Sequence, residues 1–290
     1  MSAGEIRVGT SGWHYPSGNG TWNGPFYPRT RPHGFDELRF YAERFDTVEV
    51  NATFYRPPDA AMSRAWLDRT PESFLFSIKL FQKFTHPDMY LARPGATDWN
   101  VTAGDIDQFR AGLDPIAAAG RLGALLMQFP SSFHRTPDAR EYVSWLLRAF
   151  CDYPRAVEFR HKSWSETGAD TLERLEAEGA AFVRIDEPFA HWHRAPGTAH
   201  RAPLVYFRLH GRNAAEWWEH EHAEDRYNYL YTEAELQPFA AEARDEAALQ
   251  KRVLVYFNNH FSAKAVANAD ILKKQLGQVA PDWQLRHERL

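Results

Sequence analysis

Eight short runs rich in branched aliphatic and aromatic residues recur along this chain, separated by stretches with helical or irregular patterns. The runs cover residues 6–10, 47–54, 74–79, 122–129, 156–160, 181–186, 204–210 and 252–258. Short apolar runs bounded by turn residues are typical of buried strands. Strands that alternate with helices favour parallel pairing through right-handed crossovers. The sequence therefore predicts an α/β fold, a single (β/α)8 TIM barrel over residues 1–290.

Capping residues support the helices between these runs. Asp59 is a typical N-cap, and Thr136 precedes a proline at the first helical position. The predicted helices cover residues 35–45, 60–69, 105–119, 137–150, 169–178, 233–249 and 263–275. The crossover at 188–203 carries prolines and histidines without amphipathic periodicity, so we expect an irregular loop there. Long aromatic-rich connections at 11–32, 80–104 and 211–231 each follow a strand, which places them on one rim of a barrel.

Composition excludes several classes of protein. A formal net charge of −4 argues against a generally basic nucleic-acid-binding surface. The single cysteine excludes an intramolecular disulfide and a multi-cysteine zinc site. We find no apolar run of about 20 residues and no export signal, so we expect a cytoplasmic protein without membrane partners. Phosphate-loop, G-x-G-x-x-G, G-x-S-x-G and H-E-x-x-H motifs are absent from the sequence. The oligomeric state stays open.

In most of the predicted strands, the polar side chains occupy every second position and the apolar side chains occupy the positions between them. Because helices cover the outside of a barrel, we expect the apolar side chains of each strand to face outward and the polar side chains to face the interior. The interior would then hold the charged residues Glu49, Lys79, Glu158, Arg160, Arg184, Asp186 and Arg208. A buried ion without a partner costs several kcal/mol, so these groups must pair with each other or with a ligand. An internal ion-pair lattice and a ligand site at the carboxyl ends of the strands both satisfy this requirement.

Three kinds of chemistry fit these residues. Arg208, His210 and Arg212 surround Gly211 at the end of the seventh run, which suits an anion. Alternatively, Arg208 pairs with Glu158 or Asp186, and Arg212 is solvated. Glu49 and Glu158 would form an acid/base pair, with Asp186 a third catalytic candidate, unless arginines neutralise them. No cofactor is predicted. The alternative is a divalent metal held by Glu158, Asp186 and His210, with His191, His193, His220 and His222 nearby on loops.

Five segments resemble a known family. They are Gly9-Thr-Ser-Gly-Trp, Val48-Glu-Val-Asn-Ala-Thr-Phe-Tyr, Val157-Glu-Phe-Arg-His-Lys-Ser-Trp, Tyr206-Phe-Arg-Leu-His-Gly-Arg and Tyr256-Phe-Asn-Asn-His. In this order they are similar to the YecE-like family, or domain of unknown function 72, and the resemblance covers nearly the whole chain. It implies a TIM barrel and no established activity. The family's recurrent polar positions correspond to Trp13, Glu49, Asn51, Tyr55, Glu158, Arg160, His161, Trp164, Arg208, His210, Gly211, Arg212, Asn258 and Asn259.

These observations lead to one main hypothesis, a barrel enzyme that acts on a small polar, anionic ligand by carboxylate acid/base chemistry. Glu49, Glu158 and Asp186 are the catalytic candidates. The ligand-binding candidates are Trp13, Tyr15, Asn51, Tyr55, Lys79, Arg160, His161, Trp164, Arg208, His210, Arg212, Tyr229, Asn258 and Asn259. Packing of the barrel cap is the alternative role of the aromatic residues. Two other functions stay open: a nucleic-acid-binding or metal-dependent DNA-processing barrel, and a non-catalytic small-molecule sensor.

Overall fold

The computed structural model describes residues 4–188, 190–191 and 202–278. Its sheet follows the order β5-β4-β3-β2-β1-β9-β8-β6-β7, and a further pairing between β5 and β6 closes it. The strands are β1 Ile6–Ser11, β2 Thr47–Val50, β3 Leu75–Lys79, β4 Leu122–Phe129, β5 Arg155–Phe159, β6 Ala180–Glu187, β7 Ala190–His191, β8 Leu204–Leu209 and β9 Arg252–Phe257. Without the two-residue β7, which pairs antiparallel with β6, this is the predicted eight-stranded α/β barrel of the TIM class.

Helices alternate with the strands as the capping residues and periodicity predict. They are α1 Glu37–Ala42, α2 Ala52–Tyr55, α3 Ala60–Leu67, α4 Pro87–Leu91, α5 Ala103–Ala118, α6 Pro137–Ala149, α7 Ser163–Glu166, α8 Gly168–Ala177, α9 Glu233–Ala248 and α10 Lys264–Gln275. The side chains of Asp59 and Thr136 accept hydrogen bonds from the first turns of α3 and α6, which confirms both predicted N-caps. No helix within the described ranges is long and apolar enough to cross a membrane.

The chain is divided into two compact units. The first unit comprises Met1–Val48, Arg184–Pro196 and Phe207–Leu290, and the second comprises Glu49–Val183 and Gly197–Tyr206. The single domain expected for residues 1–290 stays a prediction. Most of the irregular crossover expected at 188–203, including His193, lies outside the described residues, as does the side chain of His191.

In the first unit, Arg184 of β6 does not have the orientation that the sequence predicts. The Arg184 guanidinium donates hydrogen bonds to Glu242 (2.5 Å) and Glu246 (2.6 Å) of α9, and it lies 5.2 Å from the ring of Phe207. Arg184 therefore faces a covering helix, and the prediction that it points into the barrel is wrong. The reason is that α9 presents carboxylates to the sheet, so the helix-covered face of β6 is polar.

In the second unit, the strand expected at 47–54 is shorter than predicted. It ends at Val50, and α2 follows. The Thr53 hydroxyl is buried and donates to the main-chain carbonyl of Lys79 at 2.6 Å, whereas Tyr55 is exposed. The expectation that the strand continues through residues 51–54 is therefore wrong, because Ala52–Tyr55 forms a helical turn. The connection at 80–104 also contains a 3-10 turn, Gln82–Phe84, and the helix α4.

The buried ion pairs on α9 generate a stability prediction. Glu246 is fully buried and accepts hydrogen bonds from both Arg184 and Lys251. We expect Glu246→Gln to lower the free energy of unfolding by about 3 kcal/mol, because it removes the carboxylate that Lys251 and Arg184 share and leaves Arg184 with Glu242 alone. Asp245→Asn, at an exposed position of the same helix, should change it by less than about 0.5 kcal/mol. Equal urea-unfolding midpoints for the two variants would contradict this account.

Candidate functional site

Four polar side chains meet at the carboxyl ends of three neighbouring strands in the second unit. Lys79 ends β3, Gln128 is next to last in β4, Glu158 lies in β5 and Arg160 follows β5. Gln128 is directly opposite Glu158 in the parallel register, and the Lys79 ammonium donates to the Gln128 amide oxygen at 2.6 Å. We call these four residues the strand-end group. Carboxyl ends of barrel strands are where TIM-barrel active sites are built.

One ion pair anchors this group. Arg160 donates from its Nε to the Glu158 carboxylate. Glu158 is fully buried, whereas about a fifth (19%) of the Arg160 side chain is exposed. The charge of Glu158 is therefore balanced inside the protein, while the guanidinium that balances it reaches the surface.

His86 contributes an uncharged imidazole close to the strand-end group. It is buried, it shares a 2.8 Å hydrogen bond with the Thr85 hydroxyl, and its ring packs edge-on against Phe54. Burial lowers the pKa of His86 to about 3, helped by the positive charges of Lys79 and Arg160 and opposed by Glu158. The imidazole is therefore neutral near pH 7 and can accept or donate a hydrogen bond.

The helix α2 holds Lys79 in place. The Lys79 ammonium lies 4.2 Å from the centre of the Phe54 ring, which is a cation–π contact, and Thr53 bonds to the Lys79 carbonyl. The short helix thus fixes both the backbone and the charged end of this lysine.

Other predicted residues of the second unit also have defined contacts. The Tyr206 hydroxyl donates to Glu49 at 2.7 Å, and both side chains are fully buried. His161 is bonded through Nδ1 to the Ser163 hydroxyl at 2.8 Å, and its ring lies 3.8 Å from that of His134. Trp164 is 3% exposed and stacks on Phe159 at 3.9 Å, so its ring packs in the interior.

The first unit contains a second polar cluster, centred on Asp186. Arg212 donates to both oxygens of this carboxylate, at 2.9 and 3.0 Å, and the Tyr231 hydroxyl donates at 2.7 Å. The same hydroxyl accepts the main-chain N–H of Gly211 at 2.9 Å. Gly211 has a φ of +93°, and a Cβ there would lie 2.8 Å from the Tyr229 Cβ, so the turn requires glycine.

Arg212 is paired with two carboxylates in this cluster. Its third nitrogen donates to Glu235 at 3.3 Å, and Glu235 also accepts the Tyr229 hydroxyl at 2.6 Å. The alternative that Arg212 is simply solvated is therefore wrong. Two carboxylates and two tyrosines lock the arginine into a network typical of structural ion pairs.

The remaining candidates of the first unit join its loops. His210 is fully buried and accepts a hydrogen bond at Nδ1 from the Asn258 amide at 2.9 Å. The Asn259 amide donates to the Tyr229 carbonyl and to Asn268, both at 2.8 Å. Arg208 is only 2% exposed.

Aromatic rings pack the loops after β1, β8 and β9 against one another. Tyr15 stacks on His260 at 4.5 Å, Tyr227 contacts the same imidazole, and the Trp22 indole donates to the His260 carbonyl at 2.7 Å. Burial lowers the pKa of His260 to about 4. The Tyr27 hydroxyl donates a hydrogen bond to the main-chain carbonyl of Trp13. These contacts fit the predicted cap-packing role of the rim aromatics.

A metal ligand set is not evident in the part of the chain that the structure describes. There, no three histidine, cysteine or acidic side chains converge as ligands of one ion. The alternative of a metal on Glu158, Asp186 and His210 stays a prediction, as do the catalytic and binding roles of the candidate residues.

Several residues of these clusters are not among the sequence candidates, and two of them have no signal in the local pattern. His86 was absent from the candidates because it lies in a long connection, where periodicity gives no partner. Tyr231 ends the long connection at 211–231, and its bridge between Asp186 and Gly211 has no signal in the sequence.

A (β/α)8 barrel with charged groups at its strand ends defines the class of this protein. Within that class, the chain belongs to the family described as protein of unknown function DUF72, whose model matches residues 7–288. It is 29% identical over 273 residues to the UPF0759 protein YunF of Bacillus subtilis (strain 168), covering 91% of this chain and 92% of that protein.

Two solved structures share the fold. A DUF72 family protein from Thermotoga maritima is 32% identical with a TM-score of 0.76, and the match covers 94% of this chain and 99% of that one. A DUF72 family protein from Enterococcus faecalis is 25% identical with the same TM-score of 0.76, covering 98% and 99%. The expected family and barrel fold are therefore confirmed.

The Asp186 cluster generates a prediction about its buried hydroxyl. Tyr231→Phe should lower the free energy of unfolding by about 1–3 kcal/mol, because it leaves the buried N–H of Gly211 without an acceptor. Tyr227→Phe is the matched control, since the Tyr227 hydroxyl makes no hydrogen bond within the described residues, and it should change stability by less than about 0.5 kcal/mol. Urea unfolding measures both, and a silent Tyr231→Phe would count against the network.

The pKa of His86 predicts a pH dependence. The unfolded chain takes up a proton at this imidazole below its ordinary pKa of 6.5, whereas the folded protein does so only near 3. Stability should therefore fall as the pH drops below 6.5, by up to about 1.4 kcal/mol per pH unit from this group. His86→Gln should remove that slope, leaving the one from His260. Parallel stability–pH curves for the two proteins would disprove it.

Proposed function

We propose that the protein binds a small anionic molecule at the strand-end group and acts on it by acid/base chemistry. The single observation that carries this proposal is the convergence of Lys79, Gln128, Glu158 and Arg160 at the carboxyl ends of three adjacent strands. Lys79 and Arg160 bind the anion, because an ammonium and a guanidinium make strong charge-assisted hydrogen bonds to phosphate or carboxylate.

Glu158 moves the proton in this proposal. Its carboxylate is buried and already hydrogen-bonded to Arg160. An anion that binds Arg160 competes with Glu158 for the guanidinium, which would leave the buried carboxylate poorly compensated and raise its affinity for a proton. Binding of the anion would in this way prepare Glu158 to act as a base.

His86 assists as a neutral hydrogen-bonding group. A protonated imidazole would add a third positive charge beside Lys79 and Arg160, whereas the neutral ring can orient a ligand hydroxyl or carbonyl without that cost. Its low pKa supports this role near pH 7.

The roles of Lys79 and Arg160 are tested by measuring how tightly variants of each residue bind an anion. We expect Lys79→Met and Arg160→Met each to weaken the binding of inorganic phosphate by about 10- to 100-fold, the worth of one charge-assisted hydrogen bond. Lys162→Met removes a cation whose side chain is 80% exposed and two residues from Arg160, and it should leave binding within about twofold. Isothermal titration calorimetry measures all four proteins.

Glu158→Gln separates binding from proton transfer in the same experiment. Removal of the competing carboxylate should tighten the binding of phosphate while any turnover of the natural substrate is abolished. Weaker phosphate binding by Glu158→Gln, or equal binding by the wild type, Lys79→Met and Arg160→Met, would refute the proposal.

A further inference from the structure

Two buried amide oxygens, those of Gln82 and Asn51, lie in segments near Lys79 in the chain or next to the helix that contacts it. Gln82 is 4% exposed, and its Oε1 has no hydrogen-bond partner among the described residues. The Oδ1 of Asn51 is also buried and has no partner within the same ranges. A buried polar atom without a partner costs about 1–3 kcal/mol, so two of them in one region call for an explanation.

One amide lies in the turn that follows Lys79 in the chain, and the other precedes the helix that contacts Lys79. Gln82 begins the 3-10 turn three residues after Lys79, and its carbonyl accepts the N–H of His86 at 2.7 Å. Asn51 immediately precedes α2, the helix whose Thr53 and Phe54 contact Lys79.

Asn51 does not perform the usual task of an asparagine at its position. It is the N-cap residue of α2, yet its side chain makes no capping hydrogen bond. Asparagine at an N-cap is usually favoured because its oxygen accepts a backbone N–H of the first turn. Its oxygen therefore remains an acceptor for a donor outside the helix, and the same holds for Gln82.

We propose that the anionic ligand of the strand-end group is a polyol that carries a phosphate or a carboxylate. Its hydroxyl groups donate to Asn51 Oδ1 and Gln82 Oε1, while Lys79 and Arg160 bind the anionic end. This inference rests on the proposed function of the same site and adds the substrate class. A ligand without hydroxyl groups leaves both oxygens unpaired, so the site discriminates against it.

The test compares ligands that share an anion and differ in hydroxyl groups. Calorimetric titrations of the wild-type protein use ethyl phosphate against glycerol 3-phosphate, ribose 5-phosphate and glucose 6-phosphate, and hexanoate against gluconate. We expect at least one polyol to bind about tenfold or more tightly than the simple anion of its series, as two added hydrogen bonds allow. The better series identifies the anionic group.

Variants then assign this gain to the two amides. Gln82→Met and Asn51→Ala should each lose most of the preference for the polyol and keep the affinity for the simple anion, whereas Gln108→Met, at an exposed position, should keep both. Equal affinity of the wild type for simple anions and polyols would overturn this inference and leave the anion site standing. Failure of the wild type to bind any of these anions would overturn both proposals. The wild-type comparison is decisive even if a variant does not fold.

Discussion

Charges buried on the strands must be paired, and this constraint organises the polar structure of both units. Taking an ion out of water costs several kcal/mol unless a counter-charge and hydrogen bonds replace the lost solvation. Arg184 meets this cost on the helix-covered face of β6, where it shares Glu246 with Lys251. Asp186 meets it with Arg212 and Tyr231. In each case the ion pair also fixes how a helix or a loop lies against a strand.

The two polar clusters satisfy the constraint differently, and that difference separates structure from proposed function. In the Asp186 cluster, three nitrogens of Arg212 bond to carboxylates, so a ligand would have to break several good contacts to reach it. In the strand-end group, the contacts of Lys79 include an uncharged amide and an aromatic ring. Such contacts position the ammonium at the strand end. The contacts of Arg212 are those of a structural ion pair, and the strand-end group is the site to which we assign the proposed anion.

Periodicity predicted the order of strands and helices because each buried element repeats its pattern locally. The convergence of Lys79, Glu158 and Arg160 was also predictable, since the carboxyl ends of parallel strands share an edge. Alternation identifies two faces of a strand but not which of them meets a helix, and for Arg184 the choice was wrong. Carboxylates four residues apart on α9, Glu242 and Glu246, were the available signal. The position of His86 depends on the path of a long connection, for which local pattern gives no rule.

Buried amides differ in whether their oxygens are paired within the described fold. Asn268 is satisfied within the fold: its amide donates to the Tyr231 carbonyl at 2.8 Å, and its oxygen accepts the Tyr231 N–H at 3.0 Å. A loop is thereby tied to α10, and the same oxygen also accepts the Asn259 amide. Asn51 and Gln82 stabilise no comparable contact through their oxygens within the described ranges. Strained or unsatisfied groups persist where the surrounding structure compensates for them, and they cluster at binding sites. Their places in the chain, next to the helix that contacts Lys79 and three residues after Lys79, agree with the proposal from charge, although the two arguments use different atoms.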